Sequence, residues 1–152
     1  MIIRKATESD VAAIGKLNLF GEILRRCSPL DQLDPAFEDE VGYYRDFIDS
    51  EDKWCYVAEH GGELAGFVLF NVERRESFWE IKKVGYIDLI YVDERHRKKG
   101  ISKLLLEKAY EQFRKNGLRY VKLSVQTKNP DANAVWQKHG YKEFLKHMYK
   151  MI

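Results

Sequence analysis

The hydrophobic pattern changes period several times along the chain, and each change predicts a boundary between helix and strand. Apolar residues recur at helical spacing through two early segments that are separated by Pro29 and Pro35. Strand-like segments alternate with helical ones afterwards. The predicted order is β-α-α-β-β-β-α-β-α-β with room for one more β, over Ile2–Lys5, Val11–Phe20, Phe37–Ile48, Trp54–Glu59, Glu63–Val72, Tyr86–Val92, Ile101–Arg114, Tyr120–Thr127, Asp131–His139 and Tyr141–Met151.

Short turn and capping signals support these boundaries. Thr7 followed by an acidic residue three places later is close to a capping box at the start of the first helix. The pair Gly61-Gly62 between two strand patterns predicts a β-hairpin, and Asn116-Gly117 ends the long helix. The order of the elements therefore predicts an α+β domain with a mixed, twisted sheet.

Two of the predicted elements carry most of the expected core. Glu63–Val72 is apolar on both alternating faces, which is typical of a central strand covered on each side. The helix Ile101–Arg114 is expected to turn one stripe inward, formed by Leu104, Leu105, Ala109 and Phe113.

Composition narrows the class of protein. The 152 residues fit a single domain over residues 1–152, with 45% hydrophobic and 33% charged residues, as in ordinary globular proteins. No apolar run reaches the roughly 18 residues of a membrane span, and the first residues lack a secretory signal pattern. We expect a soluble, cytoplasmic protein that does not bind membranes.

Cysteine and histidine usage excludes several kinds of site. Cys27 and Cys55 are too few and too far apart for a disulfide framework or a zinc cluster. The four histidines show no metal-ligand spacing, so no metal cofactor is expected.

The net charge of +2 conceals an uneven distribution. Residues 28–52 contain nine acidic residues against one basic residue, Arg45, whereas every residue from Arg95 to Lys99 is basic or histidine. Such segments attract ligands of opposite charge, or they are simply solvated surface.

The segment that carries the clearest chemistry is IDLIYVDERHRKKGISKLLLEKA, in which a strand, a basic loop and a helix follow one another. The first turn of a helix presents unpaired backbone N–H groups and the positive end of the helix dipole. Gly100 lets the backbone approach a ligand closely, and the neighbouring basic side chains add charge. A diphosphate is the ligand that this arrangement favours.

The residues Arg97-Lys98-Lys99-Gly100-Ile101-Ser102 resemble the (Gln/Arg)-x-x-Gly-x-(Gly/Ala) pyrophosphate loop of the GNAT superfamily of acyl-CoA-dependent N-acyltransferases. Only Ser102 departs from that pattern, because it stands where the family has Gly or Ala. Downstream, the segment Asn129–Tyr141 resembles the family's closing pattern, Asn-x-x-Ala-x-x-Leu-Tyr-x-x-x-Gly-Phe. Two motifs in the same order and topology make chance agreement a weak explanation.

The resemblance implies a fold, an activity and a cofactor site. The fold would be a GNAT-like sheet of about six to seven strands with about four helices. The activity would be transfer of an acetyl group from acetyl-CoA to a primary amine in a ternary complex. The residues implied to bind the cofactor are Tyr91, Val92, Arg97, Lys98, Lys99, Gly100, Ile101, Ser102, Asn129 and Trp136, with a backbone N–H at a bulge near Tyr91 and Val92 polarising the thioester.

The resemblance also suggests catalytic residues. Asp88 stands in an otherwise apolar strand and is the nearest equivalent of an acidic residue that accepts the amine's proton in several GNAT enzymes, with Tyr86 beside it. A structural ion pair or a solvent-facing position explains Asp88 equally well. Trp136 stands where many members carry a tyrosine that protonates the leaving thiolate, and indole has no such proton to give. Trp136 would then serve as a wall for the cofactor.

The acceptor and the rival functions stay open. In this fold the acceptor pocket is built largely by the first two helices, and the acidic residues Asp31, Asp34 and Glu38 favour a cationic amine or basic peptide. A CoA-binding sensor that has lost the chemistry is the alternative function. Nucleic acid is not expected as a partner, because no aromatic row accompanies the basic loop. A homodimer is an expectation from the family alone.

Overall fold

The computed structural model describes residues 1–17, 27–31, 34, 36 and 40–152. Five strands and four α-helices have their bounds within those residues, and the strands form one sheet in the order β1-β2-β3-β4-β5. The elements are β1 Ile2–Lys5, α1 Val11–Leu17, α2 Glu40–Arg45, β2 Lys53–His60, β3 Glu63–Arg74, β4 Lys83–Val92, α3 Ile101–Lys115, β5 Val121–Leu123 and α4 Pro130–Lys138. Short 3-10 turns precede α1 at Glu8–Asp10 and α3 at Glu94–His96.

The sheet is mixed, which confirms the predicted fold class. Strands β1 to β4 pair antiparallel in sequence order, and β5 pairs parallel with β4 after the crossover through α3. The β2–β3 hairpin turns at Gly61 and Gly62, whose φ angles of 62° and 84° lie in the left-handed region. Two successive residues of positive φ are what a tight two-residue hairpin requires, so the Gly-Gly prediction is confirmed.

The sheet separates two apolar cores, and β3 contributes to both. Phe67 and Leu69 pack toward α1 and α2, whereas Val68 and Phe70 pack toward α3. All four side chains are fully buried. The prediction of a central strand covered on both faces is therefore confirmed, and the sheet lies in the middle of three layers.

The inward stripe of α3 differs from the prediction at one position. Leu105, Ala109 and Phe113 are buried as expected, but Leu104 is 45% exposed and Leu106 is buried in its place. Each residue advances about 100° around a helix of 3.6 residues per turn. Leu104 lies about 140° from the centre of the stripe, and Leu106 lies about 60° from it.

The start of α1 is fixed by a buried carboxylate. The Thr7 N–H donates to Asp10 Oδ2 over 2.8 Å, as the predicted capping signal requires. Arg4 donates to both oxygens of the same carboxylate at 2.8 and 2.9 Å. The Arg4 guanidinium lowers the pKa of Asp10 to about 2, so the pair stays ionised and joins β1 to the first helix.

Several predicted boundaries were wrong. The sequence predicted closing strands over Tyr141–Met151, but the structure assigns no strand to residues 141–152. The strand expected over Tyr120–Thr127 is reduced to Val121–Leu123, because β4 diverges from it beyond that point. The acidic helix covers Glu40–Arg45, and Phe20, Phe37 and Pro35 lie outside the described residues. The five described strands are therefore fewer than the predicted six to seven.

Candidate active site

The central feature of the site is an opening between β4 and β5. Their parallel pairing begins at Gly85 with Val121 and ends at Ile87 with Leu123. Strand β4 continues for five more residues, to Val92, and remains paired with β3 on its other side. Among the described residues, the β4 backbone from Asp88 to Val92 therefore has a free edge that faces the opening.

A β-bulge lies at the point where the two strands separate. Phe70 of β3 pairs with Ile87, and the preceding residue, Leu69, pairs with Leu89. Asp88 is the additional residue, without a partner in β3. The bulge was predicted near Tyr91 and Val92, and that position was wrong, because both of those residues keep regular pairing with β3.

The bulge places the Asp88 carboxylate in a protected position. Asn71 Nδ2 donates a hydrogen bond to Asp88 Oδ2 over 2.6 Å. Burial raises the pKa of Asp88 to about 6, while the Asn71 hydrogen bond and the charge of Lys53 act in the opposite direction. A carboxyl group with this pKa is largely ionised at neutral pH and is a stronger base than an ordinary aspartate. None of the ion pairs between described residues involves Asp88, so the structural alternative of a salt bridge is not supported.

Tyr43 interacts electrostatically with this carboxylate, and Tyr86 precedes it by two residues on β4. Tyr86 donates its hydroxyl proton to Ser124 Oγ over 3.0 Å, so it connects β4 to the residue that follows β5. Tyr43 of α2 was not predicted. Burial raises the pKa of Tyr43 to about 12, and the negative charge of Asp88 adds to the rise. Tyr43 therefore stays protonated and able to donate.

Two residues of this cluster were missed by the sequence analysis for different reasons. Asn71 follows an apolar run in a central strand, and a lone amide in that position was an available signal. Tyr43 lies in a helix where an aromatic residue predicts packing only. Its nearness to Asp88 depends on how α2 crosses the sheet, and no local pattern encodes that crossing.

The loop before α3 presents the predicted anion site. Gly100 is the N-cap of α3, with φ 77° and no side-chain cap, and Lys98 also has a positive φ of 62°. A Cβ at Gly100 would meet no atom of a described residue within 4 Å, so the space on that side of Gly100 is open in the described part of the chain. Ile101 is buried and anchors the turn, and Ser102 is half-buried. The first backbone hydrogen bond that reaches Gly100 comes from Leu104, over 3.2 Å.

The amide groups ahead of that bond are available to a ligand. The N–H groups of Ile101, Ser102 and Lys103 donate no hydrogen bond to any other described residue. Three uncapped donors at the positive end of a 15-residue helix form an anion-binding surface.

The basic side chains of this loop are not equivalent. Arg95 is bound by Asp93 at 3.0 Å, which neutralises its charge locally. Arg97 donates from Nε to the Val92 carbonyl oxygen over 3.1 Å and lies 3.5 Å from Glu94. Lys98 and Lys99 are exposed and form no ion pair with any described residue. Positive charge available to a ligand is therefore concentrated on these two lysines.

Contacts within the protein define the side-chain positions of Tyr91, Arg97 and Val92. The Tyr91 ring packs against Phe67 with a centroid distance of 6.2 Å, and the Arg97 guanidinium lies 5.9 Å from the Tyr91 centroid. Val92 packs into the core on the α3 side and pairs with Gly66. A Cβ at Gly66 would lie 2.6 Å from the Tyr91 carbonyl oxygen, so glycine is required for this close approach.

The two downstream cofactor candidates have clear structural roles. Asn129 accepts a hydrogen bond from the Ala132 N–H over 3.2 Å and caps α4. The Trp136 ring packs edge-to-face on Tyr141 at 5.1 Å and lies against the core on the α3 side. Asn129 is therefore the N-cap of α4, and the cofactor-binding role that the resemblance implies for it stays a prediction.

Of the three acidic acceptor candidates, the structure describes two, and their hydrogen-bond partners differ. Gln126, just beyond β5, donates to Asp31 Oδ2 over 2.5 Å, so Asp31 lies beside the β5 end of the opening. Asp34 accepts from the Ala36 N–H in an exposed turn. Glu38 lies outside the described residues.

Other kinds of site find no support in the described part of the chain. A groove of about 530 Å³ lies between α1 and the ends of β1 and β2, but none of the predicted site residues lines it. Its charges are largely paired, as in Arg4 with Asp10 and Glu59. The described side chains include no group of three or more potential metal ligands, and no helix within the described ranges is long and apolar enough to span a membrane.

Comparison of the chain with known proteins shows which family it resembles. Residues 17–141 match the acetyltransferase (GNAT) family. The chain is 30% identical over 118 residues to an uncharacterised N-acetyltransferase of Methanocaldococcus jannaschii, an alignment that covers 72% of this chain and 49% of that protein. The chain thus spans about half the length of this curated relative.

Solved structures agree with the fold. A tetramutant of the BH1408 protein from Bacillus halodurans superposes with a TM-score of 0.86 at 18% identity, over 100% of both chains. The aminoglycoside acetyltransferase AAC(6')-Iy, in complex with the bisubstrate analogue CoA-S-monomethyl-acetylneamine, superposes with a TM-score of 0.77 at 15% identity, over 99% of this chain and 97% of that one. At these identities the likeness establishes the fold alone.

Proposed function

This chain belongs to the acetyltransferase (GNAT) family, and on that premise we propose that it transfers an acetyl group from acetyl-CoA to a primary amine within a ternary complex. The observation that carries the proposal is the juxtaposition, within one short segment, of a free strand edge ending at Val92 and an uncapped helix start at Gly100. A long ligand with a peptide-like arm and a diphosphate suits that combination of donors.

The diphosphate of CoA is proposed to bind at the start of α3. The uncapped N–H groups of Ile101, Ser102 and Lys103 supply hydrogen bonds, and the unpaired charges of Lys98 and Lys99 supply electrostatic attraction. The open space in front of Gly100 supports close approach of the phosphates. In this proposal the backbone N–H groups contribute more to diphosphate binding than the side chains of Arg95 or Arg97. This refines the sequence-based assignment of the site.

The pantetheine arm is proposed to run along the free edge of β4. Its two amides resemble a peptide backbone and can pair with unpaired N–H and C=O groups of residues 88–92, as an added strand would, apart from the Val92 carbonyl oxygen, which accepts from Arg97. The thioester then reaches the bulge at Asp88, where a backbone N–H can donate to the carbonyl oxygen as negative charge develops on it.

Asp88 is proposed to accept the proton of the attacking amine. The neutral amine nitrogen forms a bond to the thioester carbon, the tetrahedral intermediate loses its N–H proton to the carboxylate, and the C–S bond breaks to release the CoA thiolate. A pKa of about 6 supports this role, because the group is ionised at neutral pH and still basic enough to take a proton. Asn71 orients the carboxylate through its 2.6 Å hydrogen bond.

The leaving thiolate needs no acid from Trp136 under this proposal. The half-buried indole packs against Tyr141 and the core, which supports a role as a wall beside the cofactor. A thiol with a pKa of about 8.5 is a good leaving group without prior protonation.

The acceptor is proposed to be a cationic amine or a basic peptide. Asp31 lies beside the β5 end of the opening, and Asp88 adds a second carboxylate. The AAC(6')-Iy structure contains the bisubstrate analogue CoA-S-monomethyl-acetylneamine, so amines of that kind are included among the acceptors to be tested. Asp34 and Glu38 are retained only as sequence-based candidates.

The experiment is a thiol-release screen with acetyl-CoA against amines of matched size that differ in charge. We expect turnover with polyamines, aminoglycosides or basic peptides, and loss of turnover in Asp88→Asn but not in Asp46→Asn, which changes an exposed carboxylate paired with Lys53. A consistent preference for neutral or acidic amines would overturn the acceptor class. Tight acetyl-CoA binding without thiol release from any amine would favour the alternative, a CoA-binding sensor.

A further inference from the structure

The connection between β3 and β4 holds several large apolar side chains in solvent. Phe78, Trp79 and Ile81 are 75%, 49% and 38% exposed. Single apolar residues on a surface are ordinary, whereas three of them close together in one short loop form a patch. Residues 75–82 are here called the aromatic loop. Its exposed patch indicates a surface that binds a partner.

Contacts within the aromatic loop fix the positions of its rings. The Arg75 N–H donates to the Lys82 carbonyl oxygen over 2.8 Å, which extends the β3–β4 ladder by one pair. The Arg75 guanidinium lies 4.9 Å from the Trp79 ring centroid and donates to the Ile81 carbonyl oxygen over 3.2 Å. Lys82 Nζ donates to the carbonyl oxygens of Ser77 and Trp79. Because the loop is already ordered, a partner that binds it orders few further groups.

The charges of the aromatic loop favour a partner that carries lysine or arginine. Glu76 and Glu80 are exposed, and none of the ion pairs between described residues involves either of them. Arg74, which ends β3, is paired with Asp52 at 3.0 Å. Aromatic rings attract cationic side chains through cation–π interactions, and carboxylates attract the same groups. Free carboxylates beside exposed rings are therefore complementary to a basic side chain.

Strand geometry directs the aromatic loop toward the face of the sheet that carries the Asp88 carboxylate. Successive side chains of a strand point to opposite faces, so Arg75 shares a face with Asn71 and Glu73. Asn71 is the residue that donates a hydrogen bond to Asp88. Because the Arg75 guanidinium lies over the Trp79 ring, the indole is directed toward this face as well.

A polar surface lies between the aromatic loop and Asp88. Lys122 Nζ is 2.6 Å from Glu73 Oε1 and 5.9 Å from the Tyr86 ring centroid. The Tyr86 hydroxyl is in turn bonded to Ser124. Tyr86 precedes Asp88 by two residues on β4, so it lies on the side of the carboxylate that faces the loop. Polar groups along this path suit the backbone of an extended chain.

The separation of the two features sets the length of a ligand that contacts both. Lys82 and Asp88 are six residues apart along the chain, which is about 20 Å at about 3.3 Å per residue of strand. An extended peptide has a similar rise per residue, so about six residues reach from one feature to the other. An amine the size of a single amino acid reaches only Asp88.

We propose that the aromatic loop is a second binding surface for the acceptor, and that the acceptor is a polypeptide with a basic residue about six positions from the acetylated amine. The inference rests on the proposed function, because it takes the reacting amine to lie at Asp88. The basic side chain packs on the exposed rings of Phe78 and Trp79 and pairs with Glu76 or Glu80. The acceptor class is thereby narrowed from cationic amines in general to a chain.

The experiment compares two ten-residue peptides of equal length, composition and charge. Each consists of alanine and serine with lysine first, so that an α-amine and a side-chain amine are offered at one end, and each carries one arginine, at position 7 or at position 2. Anisotropy of a fluorescein at the carboxyl end gives Kd in the presence of CoA, and thiol release from acetyl-CoA gives kcat/KM. We expect the position-7 peptide to be favoured about tenfold in both measurements.

Substitutions in the aromatic loop should remove this preference. In Trp79→Ala, and in the double variant Glu76→Gln with Glu80→Gln, the ratio between the two peptides should fall toward one. Phe144→Ala is the matched aromatic control, since Phe144 is 73% exposed outside the loop, and Glu107→Gln is the control for loss of an exposed carboxylate. Both controls should keep the tenfold ratio. Because the readout is a ratio within one protein, it does not depend on how much of a variant is folded.

Three results would overturn the proposal. The first is equal Kd and kcat/KM for the two peptides in wild type, and the second is a tenfold ratio that Trp79→Ala leaves unchanged. The third concerns an anionic membrane, to which Lys82 and Lys83 are also suited: sedimentation with phosphatidylserine vesicles that Trp79→Ala abolishes would assign the loop to a lipid surface. Failure of the proposed function is recognised separately, because the Kd ratio would then persist while no amine releases thiol from acetyl-CoA.

Discussion

Replacing Asp88 by asparagine should stabilise the protein while it abolishes most of its activity. The substitution keeps the shape of the side chain, and its amide oxygen can still accept the hydrogen bond from Asn71. It removes a negative charge that is half-buried at the bulge of β4. A residue kept for packing would not couple a gain in stability to a loss of function, so the two readouts together identify a functional carboxylate.

The magnitude follows from the pKa of Asp88. Burial raises that pKa from 3.8 to about 6, and each pKa unit corresponds to about 1.4 kcal/mol, so ionisation costs the native state about 3 kcal/mol. The native state keeps its proton to higher pH than the unfolded state does. The free energy of unfolding therefore falls by this amount as pH rises from about 4 to about 7.

The stability assay is urea unfolding of wild type and Asp88→Asn at a series of pH values. The variant's advantage should grow by up to about 3 kcal/mol between pH 4 and pH 7, because asparagine does not titrate. Asp46→Asn is the control: Asp46 is exposed and its hydrogen bond from Lys53 lowers its pKa, so the sign of its effect is opposite. A difference between wild type and Asp88→Asn that does not change with pH would refute the reasoning.

The activity assay compares kcat/KM of the same two proteins with one amine. Loss of the base should cost about 10² to 10⁴ in rate at pH 8. Deprotonation of the amine is common to both proteins, so it cancels when the kcat/KM of wild type is divided by the kcat/KM of Asp88→Asn. That ratio should fall about tenfold per pH unit below pH 6 and be flat above it, and a ratio that is constant from pH 5 to pH 8 would exclude Asp88 as the base.

Three further substitutions test other parts of the account. Trp136→Phe should keep most of kcat, since the ring is proposed to pack and not to donate a proton; a thousandfold loss of kcat with unchanged CoA affinity would contradict this. Gly85→Ala should cost about 1 to 3 kcal/mol in urea unfolding, because its Cβ would lie 2.8 Å from the Phe113 ring, and an unchanged unfolding midpoint would show that the core yields there. Gly100→Ala, strained at φ 77°, should weaken CoA binding about tenfold by calorimetry, whereas Gly117→Ala, with φ 71° at the far end of α3, should leave CoA affinity unaltered.

The elements that carry strong local signals were predictable from the sequence. The Gly61-Gly62 turn, the two-faced strand β3 and the helix that begins after Gly100 all follow from patterns within about ten residues. The mixed sheet combines the antiparallel pairing that the short Gly-Gly turn imposes on β2 and β3 with the parallel pairing of β4 and β5, which needs a long crossover such as α3. The anion site was predictable for the same reason, since a helix start and its glycine are adjacent in sequence.

The remaining features depend on contacts between distant segments. The bulge at Asp88 arises from the register of β4 against β3, and a single sequence does not encode which residue is left over. Residues 141–152 have the pattern of a strand, but the structure pairs them with none of the described strands, and a local pattern does not encode whether a pairing partner is present. Tyr43 approaches Asp88 only because α2 crosses the sheet at that point.

The most direct test of the central claim is a titration of ¹⁵N-labelled protein with CoA, followed by amide chemical shifts. The largest changes should occur at the backbone N–H groups from Lys98 to Lys103, where the uncapped start of α3 is proposed to bind the diphosphate. The amide of Ala132, which Asn129 already caps at the start of α4, should change little. If CoA leaves the amides of α3 unperturbed, or shifts another part of the molecule instead, the proposed cofactor site is wrong.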